Sequence, residues 1–279
     1  MTKCLVTGHM GYIGSHVFAK LEALGHEVKG IDLKEGRNIM EAIWQEDYQD
    51  FKPDYIFHLA ATPRVAYSME HPYQVLYNNV VSSLDVLEYA RKNNVKRVIY
   101  SSSSSVRGNG DGPTSPYGAS KLIPETLCEN YSKVFGVDTV CLRYFNVYSK
   151  DQEADGPYAT AIANWMKYID EDRAPFITGD GEQRRDMLHV RDAVSANLFC
   201  MEQSQNFSGK HYDVGTGRNI SLNEVRDIVL QHHPDVNFDY VASRPGDVQE
   251  TCADTQPLSE IGWVTEISIK QGIHSCFSK

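Results

Sequence analysis

The stretch LVTGHMGYIGSHV, residues 5–17, joins a short apolar run to a helix-length segment through three glycines, Gly8, Gly11 and Gly14. Glycines between a strand and a helix allow a tight turn, let the backbone approach a pyrophosphate, and let the helix pack closely on the strand. The helix N-terminus then offers free N–H groups to the phosphates. The spacing G-x-x-G-x-x-G is one residue looser than the dehydrogenase form, and a turn with close packing would need the same glycines. The next apolar run tips the balance. EVKGID ends in Asp32, 18 residues beyond Gly14, where a carboxylate can accept both hydroxyls of an adenosine ribose and repel a 2′-phosphate. NAD is therefore favoured over NADP, with Lys34 and Arg37 keeping NADP as the lesser reading.

Outward from this loop, short apolar runs alternate with helix-length segments. KCLVT, EVKGID, DYIFHLA, RVIYS and DTVCLRYF are separated by segments such as YQVLYNNVVSSLDVLEYARKNN and PYGASKLIPETLCENYSKVFG. Repeated β-α predicts an α/β fold, a doubly wound parallel sheet of the Rossmann type. After about residue 150 the rhythm becomes irregular and richer in Gly and Pro. Residues 1–150 read as mainly the NAD-binding domain, and 151–279 as mainly a smaller C-terminal substrate lobe. HVRDAVSANLFCMEQ and KHYDVGT, near 189–216, read as helix plus strand returning to the first domain. SLNE, residues 221–224, reads as a capping box opening another helix.

Composition narrows the function. Among 279 residues, 37 acidic side chains outnumber 27 basic ones, and no basic cluster of five or more occurs, which speaks against a nucleic-acid partner. The six cysteines are scattered with no C-x-x-C pair, fitting neither a disulfide framework nor a zinc ribbon, so a reducing cytoplasm is the expected location. No apolar run approaches membrane-spanning length, and MTKCLVTG enters a strand pattern with no leader, so no membrane association is expected. His232-His233 lacks a spaced ligand partner, and no metal is expected.

A second stretch, SPYGASK (residues 115–121), follows the serine run Ser101–Ser105. Ser115 can cap a helix and Pro116 suits its first position, placing Tyr117 and Lys121 in the opening turns. Residues i and i+4 share a face, which brings the ammonium near the phenol. A tyrosine base working at neutral pH needs its ordinary pKa of ~10 lowered by ~3 units. Lys⁺, an oxidised nicotinamide and the helix N-terminus all push that way. A surface Tyr/Lys pair is common by chance, and the serines decide between the two readings. They follow the buried-strand pattern VKRVIY at the carboxyl end, where open α/β sheets bind ligands. HLAA, His58 to Ala61, ends another strand in small residues that suit close passage of a cofactor.

Together the glycine loop, Asp32, HLAA, YNNV, SSSSSV, SPYGASK, LRYFNVY, GDGEQRRDMLHVRD and SRPGD resemble the extended short-chain dehydrogenase/reductase family, specifically its nucleotide-sugar 4-epimerases. The match runs from about residue 3 to 254. The resemblance implies Tyr117 as base, Lys121 as its partner and cofactor-ribose ligand, and Ser103 as the contact to the substrate hydroxyl, with Ser102 and Ser104 as alternatives. It places Gly8, Gly11, Tyr12, Ile13, Gly14, Asp32, Leu59, Ala60, Ala61, Asn79 and Tyr144 around NAD. It places Asn146, Arg185, Arg244, Asp247 and Thr251 around the sugar nucleotide, with the two arginines clamping the diphosphate. Thr251 is small enough to leave room for an N-acetyl group. The helices near 74–94 and 117–135 imply a homodimer built through a four-helix bundle.

The chain departs from the family pattern at Arg107, where tyrosine is usual, at Asn38, where an aspartate commonly meets adenine, and at Pro124 inside the catalytic helix. The implied function is NAD-dependent C4 epimerisation of a UDP-hexose or UDP-N-acetylhexosamine through a 4-keto intermediate. Competing readings are a nucleotide-sugar dehydratase, decarboxylase or keto-sugar reductase on the same scaffold, or a non-catalytic NAD-binding regulator. Dehydratases carry an acid and a base beside the active hydroxyl, and Ser103-Ser104-Ser105 supplies neither.

Overall fold

The computed structural model describes residues 1–108, 110–154, 160–243 and 248–278. The first part of the chain alternates as the sequence predicts: β1 (Lys3–Thr7), α1 (Tyr12–Ala23), β2 (Glu27–Ile31), α2 (Ile39–Ala42), α3 (Glu46–Phe51), β3 (Tyr55–His58), α4 (Val65–Glu70), α5 (Pro72–Lys92), β4 (Arg97–Ser103), α6 (Pro116–Phe135) and β5 (Thr139–Tyr144). Shorter elements follow: β6 (Val147–Tyr148), α7 (Ala161–Asp170), β7 (Phe176–Thr178), β8 (Arg184–Arg185), β9 (Leu188–His189), α8 (Val190–Glu202), β10 (His211–Val214), β11 (Ile220–Ser221), α9 (Leu222–His232), β12 (Asp239–Val241), β13 (Glu250–Thr251), α10 (Gln256–Glu260) and α11 (Ile269–Phe277). The fold is α/β, built on a six-stranded sheet in the order β10-β5-β4-β3-β1-β2. β1 runs parallel to both β2 and β3, and β3 parallel to β4.

The chain divides into two compact units, Met1–Arg143 with Val194–Tyr212, and Tyr144–Ala193 with Asp213–Lys279. In the first unit β4 and β5 are nearly continuous buried runs, as a strand covered on both faces must be. A core of Leu5, Ile31, Ile56, Val86, Val98 and Cys141 joins the sheet to α5. α5 presents Val75, Asn79, Ser83, Val86 and Ala90 at helical spacing on its buried face. The return of residues 194–212 to this unit has a specific fastening. Arg97 Nε donates to Asp138 at 2.5 Å, and its other nitrogens reach the carbonyls of Cys200, Gln203 and Gln205. The Asp138 carboxylate also accepts the amides of Phe207 and Ser208.

The second unit has its own core of Tyr148, Trp165, Ile177, Val225, Val229 and Ile273. α9 opens on a true capping box, in which Ser221 Oγ accepts the Glu224 amide at 3.1 Å and the Glu224 carboxylate accepts the Ser221 amide at 2.9 Å. Among the described residues no helix is long and apolar enough to cross a membrane.

Candidate active site

The glycine loop forms a cradle. Gly8 has φ +74, and a Cβ there would lie 2.6 Å from the Ala60 amide nitrogen, so the loop rests directly on the HLAA strand end. A Cβ on Gly14 would come within 2.0 Å of the Gly8 carbonyl oxygen, which the Gly11 amide already caps at 2.9 Å. α1 begins after Gly11 with no side-chain cap and no acidic residue in its first turn, so its N-terminal amides are offered to an anion. Tyr12 and Ile13 open that helix, both half-buried. Asp32 accepts the amides of Met10 and Lys34 at 3.0 and 2.8 Å, tying the loop to the end of β2 and leaving lone pairs for ribose hydroxyls. Asn38 takes a different task from the one its position suggests: its side chain caps α2 by accepting the Met40 amide.

Beneath this cradle runs a buried polar chain. The Leu59 amide donates to the Thr7 carbonyl and the Ala60 amide to Thr7 Oγ1. Thr7 Oγ1 lies 2.7 Å from His58 Nδ1, and His58 Nε2 lies 2.9 Å from Ser83 Oγ, which donates to the Asn79 carbonyl. Because the Ser83 proton is committed to Asn79, His58 must carry its own proton on Nε2 and accept from Thr7 on Nδ1. The Asn79 side chain accepts the Thr62 amide and donates to the Thr62 carbonyl and to Ser120 Oγ. Ser120 in turn donates to the Tyr117 carbonyl. Loop, strand ends and catalytic helix are thereby locked together, and Ala61 lies within this locked strand end.

α6 starts as its sequence dictates, with Ser115 Oγ accepting the Gly118 amide at 3.1 Å and Pro116 in the first turn. It runs unbroken through Pro124 to Gly136. Gly118 is a residue that pattern reading passed over. Its Cβ would lie 2.5 Å from the Ser105 carbonyl, so only glycine lets the helix start against the serine turn. Ser103 Oγ donates to Ser105 Oγ and accepts the Ser105 amide, both at 3.2 Å, which fixes the serine turn at the end of β4. Ser102 donates to Glu125 at 2.5 Å, which commits its proton to that carboxylate. Burial pushes the Tyr117 phenol above its ordinary pKa, with the Ser103 hydroxyl and the Arg64 charge acting in the opposite direction. Lys121 is buried. Its ammonium donates to the Ser101 carbonyl at 2.8 Å and sits over the Tyr100 ring. Burial lowers it to about 8 against the opposing pull of Glu125. Glu125 is held by Arg143 through two bonds, at 2.9 and 2.6 Å.

In the second unit three of the expected substrate residues come together. Arg185 on β8 is the register partner of Thr251 on β13, and the Asn146 amide donates to the Asp186 carbonyl at 2.7 Å and toward Thr251 Oγ1 at 3.4 Å. Asn146 takes φ 37, a left-handed conformation that asparagine tolerates. Tyr144, the last residue of β5, is buried. Arg244 and Asp247 lie outside the described residues. Sequence reasoning missed Asp186. Fully buried, its carboxylate accepts the amides of Thr216, Gly217 and Ala253 and the Thr216 hydroxyl, gathering two distant segments beside β8. Its signal was local only, an acid following QRR, and its partners are far away in sequence.

A doubly wound sheet with a glycine cradle at β1, an acid at the end of β2 and a Ser/Tyr/Lys group at β4 and α6 defines an extended short-chain dehydrogenase/reductase. More narrowly, the chain belongs to the NAD dependent epimerase/dehydratase family, whose model matches residues 4–215. It is 30% identical to UDP-glucose 4-epimerase of Mycolicibacterium smegmatis over 97% of this chain and 96% of that one. Among solved structures it is similar to UDP-glucose 4-epimerase with UDP-glucose from Thermotoga maritima, with 30% identity, a TM-score of 0.92, and 99% and 97% of the two chains covered. A further likeness is to UDP-N-acetylglucosamine 4-epimerase from Methanobrevibacter ruminantium M1 in complex with UDP-N-acetylmuramic acid, with 30% identity, a TM-score of 0.90 and the same coverage. The cradle suits NAD. Gly8 and Gly14 let the loop fold tightly onto the HLAA strand end and onto itself before the α1 N-terminus, and Asp32 retains acceptor capacity for a ribose without a 2′-phosphate.

Proposed function

We propose that this chain interconverts the C4 epimers of a UDP-hexose or UDP-N-acetylhexosamine. The observation that carries the reading is the placement of Ser103 at the carboxyl end of β4 and of Tyr117 in the first turn of α6, with Lys121 one turn along the same helix and bonded back to the Ser101 carbonyl of β4. Ser103 would hold the 4-hydroxyl of the sugar, and Tyr117 would take its proton and later return it. Lys121 would meet the cofactor ribose. NAD, when bound, supplies the acceptor that takes the C4 hydride and gives it back. The first unit would bind NAD, with Asn79 contributing, and Tyr144, the first residue of the second unit, would stand on the cofactor side. The second would hold the nucleotide: Arg185 and Arg244 at the diphosphate, Asn146 beside them, Asp247 at the nucleoside ribose, and Thr251 at the C2 substituent. Anchoring by the diphosphate leaves the sugar loose enough to turn between proton removal and return. The names of three relatives, each a UDP-sugar 4-epimerase, support the same chemistry.

A homodimer belongs to this reading. α5 leaves Tyr73, Tyr77 and Leu84 exposed, and α6 leaves Ile123 and Val134 exposed, on the helix pair expected to face a second copy. A cytoplasmic location is part of it too, supported by six free thiols.

The test is incubation with UDP-glucose, UDP-galactose and their N-acetyl forms without added cofactor, following both products and absorbance of reduced nicotinamide. Interconversion without net reduction is expected, and Tyr117→Phe should abolish it while NAD stays bound. Stoichiometric NADH or a 6-deoxy-4-keto product would reject the reading, and light scattering that finds only monomer would reject the dimer.

A further inference from the structure

The turn after β2 carries two carboxylates, Asp32 and Glu35. It is tight: the Asp32 side chain accepts the Lys34 amide at 2.8 Å, the Asp32 carbonyl accepts the Arg37 amide at 3.1 Å, and Gly36 closes it at φ 75. Asp32 also holds the glycine loop through the Met10 amide, which puts the adenosine ribose of a bound dinucleotide at this corner. A 2′-phosphate on that ribose would stand beside Asp32 and the turn, and would need a cation there.

The basic side chains of the corner are committed elsewhere. Lys34 Nζ donates to the Met10 carbonyl at 3.0 Å. Arg37 donates to the Tyr48 hydroxyl at 2.8 Å, which in turn donates to the Gly30 carbonyl, and it lies 3.9 Å from Glu35. Lys29 donates to the Asp47 carbonyl at 2.7 Å and sits over the Tyr48 ring.

Glu35, by contrast, is fastened to the glycine loop. His9, which follows the first glycine, places Nε2 3.3 Å from the Glu35 carboxylate. The His9 ring packs on Phe18 of α1, with centroids 5.1 Å apart, and covers Gly30, where a Cβ would come within 2.4 Å of it. Its Nδ1 is buried with no hydrogen-bond partner, so Glu35 is the polar group that fixes the ring. An unpaired buried nitrogen costs stability, and what this arrangement secures is a carboxylate held against the loop three residues beyond Asp32. Only 30% of the Glu35 side chain is exposed, so its charge is screened less than that of a fully solvated carboxylate.

We propose that Glu35 is a second selectivity residue for the coenzyme, a carboxylate that His9 holds at the ribose corner, where it adds to Asp32 in repelling a 2′-phosphate. This deepens the reading of the first unit as an NAD site and rests on it.

The full-length protein, as wild type and as Glu35→Gln, is incubated with an excess of NAD and NADP in equal amounts, freed of unbound coenzyme and denatured, and the released coenzymes are separated and quantified. Glutamine keeps the size of the side chain and a partner for His9 while removing the charge, so thermal melting should be unchanged. The NADP-to-NAD ratio should rise about tenfold in Glu35→Gln, the effect of one partly screened charge on a phosphate. The gap between the two proteins should narrow in about 1 M salt, where the Debye length is about 3 Å. An unchanged ratio in a Glu35→Gln protein that retains NAD overturns the inference and leaves Asp32 as the whole barrier. A rise that high salt leaves intact also overturns it, because loop shape and not charge would then be selecting. Wild type that retains neither coenzyme would remove the NAD reading and this inference with it. A raised ratio in a protein that epimerises no UDP-sugar would keep the inference while removing the epimerase reading.

Discussion

Lys121 Nζ donates to the carbonyl of Ser101 at 2.8 Å, so the lysine of the Tyr-x-x-x-Lys pair reaches across to the end of β4 rather than standing free beside the phenol. Shared helical face told where the lysine would lie, and the buried strand end decided what its ammonium would touch. The charge is held in a poorly solvated place, which is why it titrates at about 8.

That burial has a stability consequence. The unfolded lysine titrates near 10.4, so the folded state bears a cost of about 3 kcal/mol for the charged form at every pH below about 8, relieved as pH climbs from there toward 10.4. Lys121→Met should therefore unfold at a higher temperature than wild type at pH 7, with the gap closing by pH 10, while turnover falls by at least about a hundredfold. Melting curves at the two pH values check this. A variant less stable at pH 7 would mean that the Ser101 bond outweighs the buried charge.

His58 links the glycine loop to α5 as a neutral ring, and burial holds it down to about 3. Below about 6.5 the unfolded chain takes up a proton that the folded chain refuses until pH 3, so stability falls through that window, by about 2 kcal/mol at pH 5. His58→Gln should be less stable at pH 7 because it loses the Thr7 and Ser83 bonds, but its urea midpoint should fall less between pH 7 and pH 5. Parallel declines in the two proteins would show that His58 is not the group responsible.

Glu125 carries a buried ion pair and the Ser102 hydroxyl at once. Removing one partner strands a buried charge, so Glu125→Ala should lose about 3–5 kcal/mol in denaturant unfolding. Replacing both, as Glu125→Met with Arg143→Met, should recover most of that loss, since similar volume without charge packs in the same place. If the double variant were as unstable as the single one, the pair would be an organiser of the serine turn and not merely a tolerated charge.

Gly14→Ala places a methyl 2.0 Å from the Gly8 carbonyl and forces the loop open. NAD recovered from the denatured, purified variant should fall at least about tenfold relative to wild type, with the central sheet still folded by circular dichroism. Full NAD occupancy would place the pyrophosphate elsewhere.

Much of this molecule was readable before folding because its signals are local. The glycine triplet, the strand-ending Asp32, the Ser115 cap with Pro116 and the Ser221–Glu224 box each act over a few residues, and local sterics and hydrogen bonding leave them few alternatives. The alternation of apolar runs and helical segments likewise dictated a doubly wound sheet, since buried parallel strands must be apolar along their length. What tertiary structure alone decided are the pairings across distance. Where the Lys121 ammonium points, why Ser102 turns to Glu125, and why Gly118 must be glycine depend on how α6 seats against β4. Arg97 with Asp138 fastening residues 200–208, and Asp186 gathering two distant segments, depend on backbone carbonyls and amides brought together by packing. A side chain's neighbours in sequence do not reveal such partners, because a buried charge or hydroxyl takes whatever donor the folded chain delivers to it.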